Sequence, residues 1–322
     1  MINLAEELKQ VRFVAIAGHV RPDGDATGSC LGLYHYLKKN YPETDVRVYL
    51  ENTPQAYSKV PGIDEVFHEV GENEAPDVFF CLDCADEKRL GGFAELKKRA
   101  KRVICIDHHV SNGGFADVNY IVPDASSTSE LVFRLLDEEK MPVETAENLY
   151  MGIVHDTGVF RHSCTSPETM EIAATLMRKG IDAAGIINRT FYDKTYHQNQ
   201  ILGRALLESI LLMDKKVIFS AIRQKEMDFY GVGPSDLDGI VQVLMSTADT
   251  EVAIFLYEVS PQTFKVSLRS REFVDVSTIA AYFGGGGHIR AAGCTMQGSI
   301  YDVVNNITLH IEKQLRQERD SD

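Results

Sequence analysis

No stretch of about 18 apolar residues occurs in this chain of 322, which argues against a membrane-spanning helix. The first ten residues lack the basic region and apolar core of a secretory signal. Cations are in deficit: 33 Lys and Arg stand against 47 Asp and Glu, for a net charge of −14. Long duplex nucleic acid needs many cationic contacts, so no broad surface for it is expected. A small anionic substrate stays open, because metal ions and a local basic cluster can reverse the field inside one cleft. Cysteines are few and scattered, and Cys30, Cys81 and Cys105 fall in apolar segments. Buried free thiols in a reducing cytoplasm fit that pattern best. Cys81 and Cys84 form a lone C-x-x-C, whereas a tetrahedral zinc site needs four ligands. Neither a tandem repeat nor a low-complexity tract interrupts the chain.

What is present reads as an α/β enzyme of two domains, a count the length suggests. The apolar fraction, 44%, is enough for ordinary cores. Strand-like runs at 11–17, 45–50, 77–82 and 102–107 alternate with helical patterns at 26–39 and 87–100, which implies a parallel sheet covered on both faces. The helix after Asp25 opens with small residues that would let it pack close to the sheet. Ser127 and Glu130 make a capping box before a further helix, and helical patterns continue over 143–154 and 167–179, with Gly180 as a cap. A more polar helical connector then leads into strand-like runs at 216–222, 251–258 and 264–269 and helical segments at 237–247, 276–283 and 301–316. The expected division is a parallel-sheet domain over 1–185, a helical linker over 186–213 and a smaller α+β domain over 214–322. The last residues, 317–322, are expected to fray.

Chemistry gathers where the apolar runs stop. The first ends in Gly18-His19-Val20-Arg21-Pro22-Asp23-Gly24-Asp25, the third in Asp83, the fourth in Asp107-His108-His109; a later segment carries His155-Asp156-Thr157-Gly158. Strand ends are where open α/β sheets bind ligands. Carboxylates mixed with imidazoles, with no thiolate, suit a pair of hard divalent metals, and two such ions about 3.5–4 Å apart clamp the attacking and leaving oxygens of a phosphoester. That geometry needs one shared ligand, for which Asp83 is the best candidate. Asp23 and Asp25 can serve one ion each; His19 can reach the first, and His108 and Asp156 can complete the second. His109 is left to contact phosphate or to protonate the leaving oxygen, with Asp107 orienting a ligand from behind. An isolated Asp-Gly-Asp is usually a turn, and an isolated Asp-His-His can be surface; four such sites in one α/β pattern are not accounted for that way.

Gly284 to Gly287, followed by His288, is the second signal. A loop without side chains exposes backbone N–H groups and approaches phosphates closely, and this one is too embedded for a linker. Gly285, Gly286, Gly287, His288, Arg290 and Arg269 are the candidate substrate contacts, since Arg suits bidentate phosphate binding. Arg271 fits the same clamp and a solvated surface charge equally well.

These motifs, taken together, resemble the DHH/DHHA1 phosphoesterases over nearly the whole chain, and in particular the short two-domain members. The resemblance implies two Mn ions, one held by His19, Asp23 and Asp83, the other by Asp25, Asp83, His108 and Asp156. It implies a second domain that binds substrate through the glycine run, His288 and Arg269. The implied activity is hydrolysis of very short oligoribonucleotides (nanoRNA and linear dinucleotides such as pApA) to mononucleotides, together with removal of the 3′-phosphate of 3′-phosphoadenosine 5′-phosphate. His155 departs from the pattern, since many relatives carry a small residue there; it is a spare ligand or a substrate contact. A RecJ-like single-strand exonuclease would want further oligonucleotide-binding domains and a basic groove. A nucleotide-sensing protein of the same fold would be expected to have lost a ligand. Partners beyond substrate are a second copy of the chain at most, with no membrane among them.

Overall fold

The computed structural model describes residues 2–319, which fall into two compact units, Met1–Asp193 and Lys194–Asp322. In the first, α1 (Leu4–Glu7) leads to β1 (Phe13–Ala17), α2 (Gly24–Asn40), β2 (Asp45–Tyr49), β3 (Val78–Leu82), α3 (Ala94–Arg99), β4 (Arg102–Asp107), β5 (Val118–Ile121), α4 (Thr128–Leu135), α5 (Val143–Asp156), α6 (Pro167–Arg178) and α7 (Ala183–Ile187). Five parallel strands form one sheet in the order β2-β1-β3-β4-β5. The order reverses between β1 and β3, which makes the carboxyl ends of those two strands the switch point where such sheets bind ligands. Val14, Ile16, Phe80, Leu82, Ile104 and Ile106 pack one face of the sheet, and Ala15, Ala17, Phe79, Cys81 and Cys105 the other. Burial on both faces explains why these strands read as unbroken apolar runs.

Several local expectations are corrected. The helical pattern over 87–100 is a 3-10 segment, Glu87–Phe93, followed by α3, because Gly91 takes φ +54 and breaks the hydrogen-bond ladder. The short, half-exposed β5 carries no strong pattern and went unread. The small residues of α2 serve packing against α5: a Cβ on Gly28 would lie 2.4 Å from the Asn148 carbonyl oxygen. Only half of the capping box forms. Ser127 Oγ accepts from Glu130 N at 3.1 Å, but the Glu130 carboxylate is buried and turned to Ser126 Oγ, Thr169 Oγ1 and Arg134.

The second unit holds α8 (Tyr196–Leu207), β6 (Ile210–Leu212), β7 (Val217–Ile222), α9 (Gln224–Tyr230), α10 (Ile240–Met245), β8 (Val252–Ser260), β9 (Thr263–Ser270), α11 (Val276–Tyr282), β10 (Gly286–His288), β11 (Ala291–Gln297) and α12 (Ile300–Arg319). Its mixed sheet runs β10-β11-β9-β8-β7-β6. Two apolar clusters sandwich it, one containing Val252, Ile254, Val266, Leu268 and Ile307, the other Ile201, Ile218, Leu244, Ala253 and Phe255. The stretch expected as a connector is shared out: α7 and a π-turn, Asn188–Tyr192, belong to the first unit, and α8 with β6 to the second. Residues 317–319 continue α12, and 320–322 lie outside the described residues. Among the described residues, no helix is long and apolar enough to cross a membrane.

Candidate active site

The site grows from the carboxyl ends of β1, β3 and β4. Asp23 caps α2, its Oδ1 accepting from Asp25 N and Ala26 N at 3.1 Å each, which leaves Oδ2 to face His19 Nε2 at 3.5 Å. Asp83 follows β3 with φ +56, a left-handed conformation that few non-glycine residues adopt and that strained sites often use. Its N–H is tied to the Ile106 carbonyl at 3.1 Å, and its carboxylate is buried. Asp83 Oδ2 lies 3.5 Å from His19 Nε2, while Oδ1 lies 3.6 Å from His108 Nε2 and 3.6 Å from His109 Nδ1. His108 Nε2 is 2.9 Å from Asp156 Oδ2, at the end of α5. Asp25, fully buried, accepts from the Thr128 and Ser129 backbone N–H groups at 2.6 and 2.9 Å, at the start of α4.

Three groups of potential ligand atoms result: His19, Asp23 and Asp83; Asp25, His108 and Asp156; and Asp83, His108 and His109. The atoms of each group lie within 4.8 Å of one another. The donor set fits divalent metal on two further grounds. His19 Nδ1 pairs with the Val20 carbonyl at 2.9 Å and His108 Nδ1 with the Ala125 carbonyl at 3.4 Å, so both rings turn Nε2 to the carboxylates, as metal-bound imidazoles do. Asp83 presents its two oxygens to two different groups, the arrangement a shared ligand requires.

Electrostatics agree with a site that expects cations. Burial would lower the His19 pKa, but Asp23 and Asp83 outweigh it and raise it to about 10; burial and Asp156 act the same way on His108, also raised to about 10. Burial pushes Asp156 up to about 6, and burial with the charges of Asp83 and Asp156 lifts Asp25 well above the usual carboxylate range. Buried carboxylates thus crowd together with protonated imidazoles standing in as counterions, and metal would displace those protons.

Asp107 lies behind this cluster, fully buried. Its Oδ1 accepts from His108 N at 2.9 Å and faces His109 Nδ1 at 2.8 Å, and its Oδ2 accepts from Asn112 Nδ2 at 2.7 Å. The hydrogen bond to Asp107 raises the His109 pKa against the opposing effect of burial. His155 is in none of the ligand groups. Its ring stands over Gly24, where a Cβ would be 2.0 Å from His155 Cγ, and its nitrogens contact Thr190 Oγ1 at 3.1 Å and Tyr57 Oη at 3.4 Å. Burial lowers its pKa to about 4, so the ring is neutral, and with both nitrogens engaged by Thr190 and Tyr57 it packs as a wedge behind the Asp23-Gly24-Asp25 turn. Thr128 and Asn112 escaped the sequence reading, because a Thr in a Ser-rich helix start and an Asn in a turn look like ordinary capping residues.

In the second unit the glycine run is strand as much as loop. Gly286–His288 forms the edge strand β10, antiparallel to β11. Gly287 has φ +147, and a Cβ there would lie 2.5 Å from the Ala291 carbonyl oxygen; one on Gly285 would lie 2.1 Å from that of Gly293. Those two glycines therefore permit hairpin closure, while Gly286 is exposed with open space around it. His288 pairs with Ala291, and Ala291 with Arg269, so His288 and Arg269 share one cross-strand row and one face, separated by a methyl group. Arg269 is half-buried, with Nη1 donating to the Leu268 carbonyl at 2.9 Å. Arg290 sits in the hairpin turn and donates to the Val274 carbonyl at 2.9 Å. Arg271 is exposed but committed to the backbone: it donates to the carbonyls of Thr250, Met245 and Thr247 at 3.0–3.2 Å, bracing the end of α10.

A parallel sheet with a carboxylate–imidazole cradle at its switch point marks an α/β enzyme whose donor set suits divalent metal. Residues 13–153 match the model of the DHH family, N-terminal domain, and residues 214–317 that of the DHHA1 domain. The chain is 31% identical to the bifunctional oligoribonuclease and PAP phosphatase NrnA of Thermus thermophilus, over 92% of this chain and 88% of that one. The protein of the same name from Bacillus subtilis is 27% identical, over 91% and 92%. Among solved structures, an exopolyphosphatase-related protein from Bacteroides fragilis superposes with a TM-score of 0.88 at 28% identity, covering 96% of this chain and 94% of that one. The chain belongs to the DHH family of phosphoesterases, hydrolases that act on phosphate ester bonds.

Proposed function

We propose that this protein is a Mn-dependent phosphoesterase with two ions, which degrades very short oligoribonucleotides to mononucleotides and removes the 3′-phosphate of 3′-phosphoadenosine 5′-phosphate. The observation that carries the metal reading is the Asp83 carboxylate, whose two oxygens face two separate His/Asp groups. The relatives of 27–31% identity that carry both activities in their names support the substrate class. His19, Asp23 and Asp83 would hold one ion, and Asp25, Asp83, His108 and Asp156 the other; Mn suits mixed carboxylate and imidazole ligands. When bound, such ions supply Lewis acidity at phosphorus and lower the pKa of water.

The chain's own groups do the rest. Asp107 fixes the His109 ring through Nδ1 and shifts it toward the charged form, so His109 Nε2 is the atom proposed to meet the phosphate or protonate the leaving oxygen. Arg269 and His288, on one face of the second sheet, are proposed to bind substrate phosphate, with the Gly285–Gly287 backbone beside them; Arg290, engaged with Val274, contributes less. Five of the six cysteines are buried and all are free, which fits a reducing cytoplasm.

A length series tests the substrate. RNAs of about two to five nucleotides, at or below the site size of most single-strand-binding grooves, should be consumed far faster than a strand of about 24. Mononucleotides should accumulate. Equal or faster cleavage of the long strand would replace this reading with a RecJ-like exonuclease, and binding without turnover of any member would leave a sensor.

A further inference from the structure

Thr128 opens α4 and is fully buried. The capping of that helix is already done by Ser127, so the Thr128 hydroxyl is not needed for it. The side chain donates instead from Oγ1 to Asp83 Oδ1 at 3.1 Å, while its backbone N–H donates to Asp25 Oδ2 at 2.6 Å. One residue thus holds two acids from distant parts of the chain. A β-branched side chain has few rotamers, so the hydroxyl has few directions open to it. The helix start is itself anchored. Glu130 Oε2 accepts from Ser126 Oγ at 2.5 Å and from Thr169 Oγ1 of α6 at 2.7 Å. No comparable side-chain hydroxyl reaches Asp83 Oδ2 among the described contacts, so the hold is one-sided: it keeps Oδ1 turned to His108 and Oδ2 turned to His19.

We infer that Thr128 is a positioning residue that sets the rotation of the shared carboxylate and spaces it from Asp25, so that the ion on the His108 side is held. This rests on the two-ion reading above. Partners behind a metal ligand typically carry about 10–100-fold in metal affinity or activity.

Thr128→Val keeps the shape and the backbone N–H and removes only the hydroxyl, whereas Thr128→Ser keeps the hydroxyl. Mn titration by calorimetry and electron paramagnetic resonance on the full chain read the outcome. The expected result is two Mn ions with a coupled-pair spectrum for the natural chain and for Thr128→Ser. For Thr128→Val, one ion should bind about 10–100-fold more weakly, with an isolated-Mn spectrum at limiting metal. Thr128→Ala serves the same purpose if melting shows Thr128→Val to be unfolded. Unchanged affinity and an intact coupled pair in the hydroxyl-free variant would overturn the role of Thr128 while leaving the two ions in place. A natural chain that binds no Mn would instead overturn the two-ion reading, and this inference with it.

Discussion

Replacing Asp83 with Asn should be the most damaging single change at the site, and its magnitude can be worked from the geometry. Both carboxylate oxygens are in use, Oδ2 at 3.5 Å from His19 Nε2 and Oδ1 at 3.6 Å from His108 Nε2. Asn keeps the shape, but one oxygen becomes an NH2 donor and a full negative charge leaves the space between the two groups. Loss of an outer partner alone costs up to about 100-fold, so a ligand shared by two ions should cost at least that twice: about 10⁴-fold in turnover, or about 5.5 kcal/mol. The metal-free fold should not suffer. A neutral residue at 83 relieves repulsion that helps push Asp25 up, beside burial, and removes one partner of the protonated His19 and His108, two effects of opposite sign. Melting in chelator should therefore stay close to that of the natural chain. Added Mn separates the two. At about 100 times the dissociation constant each bound ion adds about 2.7 kcal/mol, which is about 5–11 °C for a domain of 150–250 residues, and Asp83→Asn should gain little of it. A full metal-induced rise in the variant would refute the shared-ligand argument, and collapse in chelator would show that Asp83 is a core residue first.

Three further outcomes are expected. His19 and His108 have folded pKa values raised to about 10 from 6.5, so their stabilisation of the metal-free protein is complete below about 6.5 and lost as pH climbs through 10. Melting in chelator should fall across that window, while apparent Mn affinity, which requires the same protons to leave, should rise; a flat melting temperature would count against protonated imidazoles in the cluster. Gly24→Ala should cost about 1–3 kcal/mol, because its Cβ would meet the His155 ring, and His155→Ala in the same chain should recover part of it; no recovery in a thermal melt would mean the clash lies elsewhere. His288→Ala and Arg269→Ala should raise KM about tenfold or more and lower kcat, with Mn binding by calorimetry unchanged. Loss of Mn uptake in His288→Ala would move that residue out of substrate binding.

The parallel sheet was legible because strands buried on both faces, such as Val78–Leu82 and Arg102–Asp107, must be apolar throughout, and the residues where they stop are then conspicuous. His19, Asp23, Asp83 and His108 stood out for that reason. Short strands at sheet edges did not: β5, β6 and β10 have only three or four residues and are partly or wholly exposed, too short for a periodicity to show, and a glycine run reads as loop even where two of its members exist to let a hairpin close. Chemistry by itself named the acids and imidazoles suited to divalent metal. Only the tertiary structure decided that Asp83 turns one oxygen to each group, that Thr128 from 45 residues further along holds it, that His155 packs behind a turn, and that Arg271 braces a helix end. Strand ends are written in local periodicity, whereas the direction of a side chain, and the partner it meets, depend on contacts between segments that the local pattern does not encode.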